Sequence, residues 1–516
     1  MSRKDTHRDR IPPSEQIPDY VLENIVNSVY PPKDLTFLNE QALARIQNTN
    51  YYYNFYDLEG QYWTPPSKLT YKPSIMPVNL ARKLVRTRAA WLFENAPDTE
   101  APPLQIDPPD AMAATDYVKS GGQVEADNRA RAREEILHSI TGANRLDEKL
   151  LEAGRDQLIG GTVALRIHHD PARGIKILFK PVQEVFPVPD PEDPDTLLKV
   201  HFCSFWDNDK TIWKQTWEMV KGQCYLTEGL YNARLDPQKM KYVGEPTYLD
   251  FIPVVLIPND KVAGNIFGTS MLKDLIPLFE QNSRLMSDAS DALRFNMFAI
   301  TVMLNAAPDS EKKVRVEPHA IWNIQGDENV DVKKLEAAFQ YSNALNEFLQ
   351  RLDNCIHLIA DVPSVTPDDI KGFGLVSGVA LKLLYSDLVS ATTQSWRVWK
   401  SRLVQMNEYI FRMLKAYEGH KNFYYKSLDL SVIDSYTTRI IPHLPLPENE
   451  MEKVNIEVTK LASSLQSVRG ALYEIGEKNP ERKIAEIIGD RDKLVGGGGN
   501  FGVQLDQAEK KIIGGL

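Results

Sequence analysis

Ala360-Asp-Val-Pro-Ser-Val-Thr-Pro-Asp-Asp-Ile-Lys-Gly-Phe-Gly-Leu-Val376 is an irregular stretch, broken by Pro363, Pro367, Gly372 and Gly374. It runs directly into Ser377-Gly-Val-Ala-Leu-Lys-Leu-Leu-Tyr-Ser-Asp-Leu388, the start of the longest helix-periodic run in the chain. Trp396, Trp399, Leu403, Met406, Ile410, Met413 and Tyr417 follow in alternating steps of three and four, which keeps them on one face of an α-helix. Ser377 is a candidate N-cap, since its hydroxyl can accept from an unpaired amide of the first turn. At about 1.5 Å per residue such a helix reaches roughly 60 Å, so it reads as a strut preceded by a loop.

Upstream, Asp331–Ile359 has helical spacing through Leu335, Phe339, Leu345, Phe348, Leu349, Leu352 and Ile356. Phe298–Val330 reads as β, with Ile300–Leu304, Val314–Val316 and Ala320–Ile324. Before it, Gly268-Thr-Ser270 opens a helix whose Leu272, Leu275, Ile276, Phe279, Met286, Ala289 and Leu293 share a face. Pro277 within that run predicts a kink or a displaced start. Residues 162–257 carry short β-like runs (Thr162–His168, Ile175–Phe179, Val185–Val188, Lys199–Phe205, Ile212–Met219, Cys224–Thr227, Phe251–Ile257) divided by turn residues. They predict one antiparallel sheet of about 100 residues.

Further toward the N-terminus, Gln123–Leu158 is helical and ends at Gly160-Gly161, and Pro102–Pro109 is a linker. Asn79–Asn95 is an amphipathic helix whose basic residues between Arg82 and Arg88 read as a solvated face. Tyr51-Tyr-Tyr-Asn-Phe-Tyr56 reads as a loop. Without basic neighbours, its aromatics point to packing or subunit contact rather than to base stacking. Leu22–Ile46 suggests short helices. Downstream of the strut, short strands are expected near Leu428–Ile433 and Thr438–His443, then helices over Glu448–Leu465, Ser467–Ile475 and Glu481–Ile488. Gly496–Gly499 is a linker.

The 516-residue chain has the apolar and charged content of an ordinary globular protein, and its length allows several cores. A net charge of −10 argues against a broad basic grip on nucleic acid. Cys203, Cys224 and Cys355 are odd in number and widely spaced, which predicts buried reduced thiols. No signal peptide and no apolar run of membrane-spanning length is evident.

Catalytic constellations are missing from the wording of the chain. There is no phosphate loop of the G-x-x-x-x-G-K-[ST] type and no H-E-x-x-H helix. Gly374-Leu-Val-Ser-Gly378 departs from a nucleophile elbow because its first glycine stands one residue too far away. His168-His169 ends a strand with no third ligand at suitable spacing, so no metal site is expected there. Asp368-Asp369 reads as solvated surface.

The ordered set resembles the portal proteins of tailed double-stranded-DNA bacteriophages, of the siphophage type. Phe251-Ile-Pro-Val-Val is similar to the family's strand closing its wing region. Gly268-Thr-Ser-Met-Leu-Lys-Asp-Leu with Asn282–Asp291 resembles the first stem helix. Ser377-Gly-Val-Ala-Leu resembles the Ser-Gly-x-Ala-Leu segment where a tunnel loop enters a long wing helix. Leu444-Pro-Leu-Pro-Glu448 resembles the lead into a crown, and Asn79–Asn95 and Gly161–Ile167 also sit where the family has a helix and a strand. The likeness runs through residues 45–490 and lies in the order of the segments rather than in any one of them.

The resemblance implies a mainly helical α+β portal fold, with an antiparallel β subdomain in the wing and a small β insert in the clip. By position, residues 1–75 become an N-terminal arm, 76–265 the wing, 266–296 and 331–358 stem helices around 297–330 as the clip. Residues 359–376 become the tunnel loop, 377–447 the long wing helix with its return strands, 448–495 the crown and 496–516 a flexible tail. Asp361, Ser364, Thr366, Asp368, Asp369, Lys371 and Phe373 would then face DNA. Lys312, Lys313, Arg315, Glu317, Asp327 and Glu328 would face partners at the clip.

Implied partners are other copies of the chain in a ring, typically of twelve, the terminase large subunit and a head-completion adaptor. Scaffolding protein, the major capsid protein and double-stranded DNA passing without sequence specificity complete the set. No membrane, cofactor, metal or enzymatic activity is implied. The place would be the portal vertex of a virion assembled in the host cytoplasm. An acidic wall suits such a channel, because each neutralised phosphate adds affinity and hence drag. The alternatives are another phage connector or minor head protein, and, from a different class, a metal-dependent nuclease or hydrolase using Asp361, Asp368 and Asp369.

Overall fold

The computed structural model describes residues 39–58, 73–102, 122–206, 211–232, 237–297, 300–308, 324–335, 342–364, 383–445, 450–463, 465–466, 468–476, 483–484 and 486–488. The chain divides into two units. One comprises Met1–Pro367 with Tyr385–Pro445, the other Asp368–Leu384 with Leu446–Leu516.

In the larger unit, α1 (Glu40–Asp57) starts at Asn39, whose side chain accepts from the Ala42 amide, and stops at Leu58 in the left-handed region. The aromatic run Tyr51–Tyr56 therefore lies on the last turns of a helix, not on a loop. Tyrosine and asparagine are mediocre helix formers, but tertiary burial outweighs propensity here. Phe55 stacks on Phe279 at 5.7 Å and the buried Tyr53 hydroxyl donates to Asp156. α2 (Leu80–Phe93) is capped by Asn79 and buries Ala81, Leu84, Val85, Ala89, Leu92 and Phe93. After β1 (Asp98–Glu100) come α3 (Gly122–Ala143) and α4 (Leu146–Gly160), separated by Asn144 and Arg145. Asn144 in that turn donates to the carbonyls of Ile140 and Ile175 and accepts from Ile177, tying the helix junction to the sheet.

The β region forms two sheets where a single one was expected. Strand β2 (Thr162–Asp170) is central in the first, antiparallel to β3 (Gly174–Pro181) on one side and β9 (Val254–Pro258) on the other. The second is an antiparallel meander of β4 (Val185–Pro189), β5 (Leu197–Trp206), β6 (Thr211–Val220), β7 (Gln223–Asn232) and β8 (Pro237–Pro246). Lys221 and Gly222, both at positive φ, make the two-residue turn between β6 and β7, the geometry that matches strand twist. β8 escapes sequence reading because Pro237-Gln-Lys-Met-Lys-Tyr-Val-Gly-Glu-Pro246 is nearly all exposed and lacks apolar alternation. Lysines and terminal prolines suit an edge strand that must not pair further.

Helix α5 (Ile276–Met297), the hairpin β10 (Ile300–Pro308) with β11 (Ile324–Leu335), α6 (Ser342–Ile359) and α7 (Ser386–Tyr417) complete the unit, with β12 (Arg439–Ile441) pairing β1. Pro277 sits in the first turn of α5, where a missing amide hydrogen costs nothing, so the start is displaced as the proline predicts. Residues 331–335 are strand rather than helix: Asp331 faces Leu304 and Leu335 faces Ile300, and this cross-strand pairing prevails over the helical spacing of Leu335. Leu428–Ile433 holds a 3-10 turn at Leu430–Val432 in place of a strand. The 32 residues of α7 span about 48 Å. Its face Trp396, Trp399, Leu403, Met406, Ile410 and Met413 is buried against α2, β2 and β9. The proposed cap at Ser377 lies outside the described residues.

A second apolar core joins α1, α2 and α4 to α5, α6 and the start of α7, through Phe55, Leu84, Val85, Leu158, Phe279, Leu352, Ile356 and Leu388. Cys203 and Cys224 are buried free thiols that burial pushes up to about 12. Cys355, expected to be buried, is exposed, because Leu352 and Ile356 on either side of it take the inward face of α6.

The smaller unit contains α8 (Glu450–Ala462) and α9 (Val468–Glu474), with helical turns at 483–484 and 486–488. Within α8, Lys460 pairs with the buried Glu457 at 2.6 Å. Among the described residues, no helix is long and apolar enough to cross a membrane.

Candidate functional site

The segment 359–364 is where α6 ends and the quoted loop begins, and its geometry follows from a helix that must stop. The Val362 amide donates to the His357 carbonyl at 3.1 Å and the Asp361 amide to Leu358 at 3.2 Å. This is the double bond pattern of a Schellman cap, with Asp361 in its left-handed position at φ 52°. Val362 and Ile356, the apolar pair that accompanies such a cap, are both buried in the second core. His357, itself buried, donates from Nδ1 back to the Val362 carbonyl at 2.9 Å, so residues 357 and 362 are joined in both directions.

Arg88 of α2 supplies the remaining restraint. The residue is nine-tenths buried, and its guanidinium donates to the Ala360 carbonyl at 3.0 Å and meets the Asp361 carboxylate at 3.2 Å. Burial lowers its pKa and Asp361 opposes that shift. The expected solvated basic face is therefore corrected at Arg88. The reason is helical phase: 81, 84–85, 88–89 and 92 share the inward stripe. Arg82, on the flank, pairs with Asp57 at 2.8 Å, while Lys83 and Arg86 are exposed.

The N-terminal approach to α5 is equally restrained. The Asn259 amide donates to Gly161, the Gly268 amide to the Thr162 hydroxyl, and the Met271 amide to Leu158. Residues 73–79 lie along α5. The Ser74 amide donates to both oxygens of Asp291 (2.9 and 3.1 Å), and the Met76 amide to the Ser287 hydroxyl (2.9 Å). Ser283, Ser287 and Asp291 form a buried polar stripe that continues the apolar stripe ending at Phe279.

Of the residues expected to face DNA, Asp361 and Ser364 are described, with Asp361 half-exposed and held by Arg88. Thr366, Asp368, Asp369, Lys371 and Phe373 lie outside the described residues, as do Lys312, Lys313, Arg315 and Glu317 of the expected clip. Asp327 and Glu328 lie in β11 at a register break: Leu304 pairs with Asp331 and Ala306 with Gly326, so Asn305 alone stands opposite residues 327–330. Such a bulge bends the strand and interrupts the ladder. His169 stacks on Tyr417 at 4.4 Å and on Phe423 at 5.9 Å, a packing role. Among the described residues, no group of three or more His, Cys, Asp or Glu could hold a metal ion.

Sequence reasoning missed Arg88 and the Asp291–Ser74 contact. Phase within α2 could have suggested that Arg88 points inward; nothing local could have named its partner.

Residues 38–469 match the family described as phage portal protein, SPP1 Gp6-like. The chain belongs to the phage portal protein family. That family is structural rather than enzymatic, and the portal subunit is accordingly a virion component that works as part of a ring in the capsid. Among solved structures, a chain from the virion of a native gene transfer agent particle is 11% identical to the portal subunit. The alignment covers 64% of the subunit and 79% of that chain, with a TM-score of 0.33. The comparison with curated proteins gave no match.

Proposed function

We propose that the subunit assembles into a closed ring, typically of twelve, at one capsid vertex, and that the ring is the channel through which the genome is packaged and ejected. The family match over residues 38–469 carries this reading. The succession α5, hairpin, α6, long α7 supports it, because paired helices flanking a hairpin suit a channel wall with a docking tip. In this reading 76–265 form a wing, 266–296 and 331–358 the stem, 297–330 the clip, 359–376 the tunnel loop and 448–495 the crown. The clip would meet the terminase large subunit during packaging and a head-completion adaptor afterwards. Scaffolding and major capsid protein would surround the ring during procapsid assembly.

The competing metal-dependent hydrolase needs Asp361 as a ligand. A guanidinium at 3.2 Å already occupies the neighbourhood of that carboxylate, and it repels a second cation. Divalent-metal-dependent DNA cleavage by the purified protein is expected to be absent; its presence would revive the hydrolase.

Native mass spectrometry with negative-stain imaging tests the main proposal. Rings of about twelve subunits with a central hole are expected, since head-to-tail interfaces close when the rotation allows. A protein that stays monomeric even with scaffolding protein added would overturn it. Asp368→Ala and Lys371→Ala rings should assemble normally and package DNA differently from wild type.

A further inference from the structure

We infer that Arg88 is a positioning residue for DNA passage, holding the root of the tunnel loop through Asp361; this rests on the portal reading above. The conformation of Asp361 carries the argument. The left-handed position of a Schellman cap is the usual place for glycine, because a Cβ there crowds the backbone. This chain keeps an acid there, at φ 52°. What glycine could not supply is the carboxylate that meets Arg88 at 3.2 Å.

Arg88 in turn has few polar atoms to satisfy it. Arg88 is nine-tenths buried, and its guanidinium bonds to the Ala360 carbonyl and the Asp361 carboxylate, two consecutive residues of the cap. A charged donor in a dry site makes stronger hydrogen bonds than a neutral one, and leaving it unpaired is costly. Arg88 therefore fixes the cap from a helix 273 residues away in sequence. On the other side, His357 and Val362 close the same turn reciprocally. Together these contacts set the direction in which the chain leaves α6 at Pro363. A pull on the loop is passed to α2 and the second core rather than absorbed by fraying of α6.

Asp361→Gly removes the carboxylate while keeping the cap conformation comfortable, and Asp361→Asn removes only the charge. Neither touches the core, so both proteins are expected to fold and to form rings of wild-type mass. In both, the amides of residues 360–362 should exchange about tenfold faster, as in local opening of a helix end, and fewer heads should fill with DNA. Arg88→Ala should do the same if it folds, with Arg88→Lys recovering part of the loss. Unchanged exchange with unchanged filling overturns the anchor. Faster exchange with normal filling also overturns it, by reducing the pair to a structural cap. If the wild-type chain itself forms no ring with scaffolding protein present, the portal reading fails instead.

Discussion

Gly268 precedes α5 where two backbones nearly touch. A Cβ on it would overlap the backbone of Asn259 and lie 2.6 Å from the Gly161 oxygen. Neither neighbour can yield without breaking the bonds that seat α5, so Gly268→Ala should cost about 3 kcal/mol or more. A lowered denaturation midpoint checks this, and an unchanged one refutes the close approach. Two histidines make stability depend on acid. Burial, aided by Lys214 and Lys199, pushes His201 down to about 3, and burial with Arg166 pushes His168 to about 4. In the unfolded chain both protonate near pH ~6.5. The unfolded state thus binds more protons below that pH, so their contribution is complete above it and declines as pH falls toward the folded values. The slope is at most about 1.4 kcal/mol per pH unit for each histidine. The urea midpoint should drop between pH 7 and pH 5, and His201→Gln should flatten the drop; an equal slope in the variant would locate the effect elsewhere.

At the scale of elements, α7 holds the larger unit together through Trp399. That side chain is fully buried, donates to Gln157 at 2.8 Å and meets Phe93 edge-on at 4.8 Å. Trp399→Ala should cost about 3–5 kcal/mol, since it opens a cavity and strips a buried acceptor of its donor. Calorimetric unfolding measures this, and a loss under about 1 kcal/mol would mean α7 is not the keystone. The contact of residues 73–79 with α5 is polar and separable. Asp291→Ala removes both acceptors of the Ser74 amide, a loss of about 1.5–3 kcal/mol for hydrogen bonds to a charged group. Faster exchange at Ser74 and Met76, with the core amides of α5 unchanged, is the expected result. Uniformly faster exchange would show that the segment is integral to the helix.

For the whole molecule, a net charge of −10 suits the proposed passage of DNA better than capture. The assembled protein should not shift double-stranded DNA in a gel at about 0.15 M salt, because few phosphates would be neutralised. A tight, salt-sensitive shift would count against a low-drag wall.

Much of this architecture was legible. The buried face of α7, the displaced start of α5 at Pro277 and the order helix, hairpin, helix, long helix among the described residues all follow from spacing and turn residues. Helices α5, α6 and α7 each have one inward face, and its period records it. The same method misread Tyr51–Tyr56, whose helix depends on Phe279 and Asp156, and residues 331–335, whose strand depends on Ile300–Leu304. It passed over β8 because an exposed edge strand has no apolar period. It left Arg88 among solvated charges although the Asp361 carboxylate was waiting 273 residues away. The sequence by itself determined which faces are apolar and where helices must stop, since those are properties of near neighbours. Only the tertiary structure decided which buried charges meet and which weak segments become helix or strand, because those choices rest on partners brought together by folding.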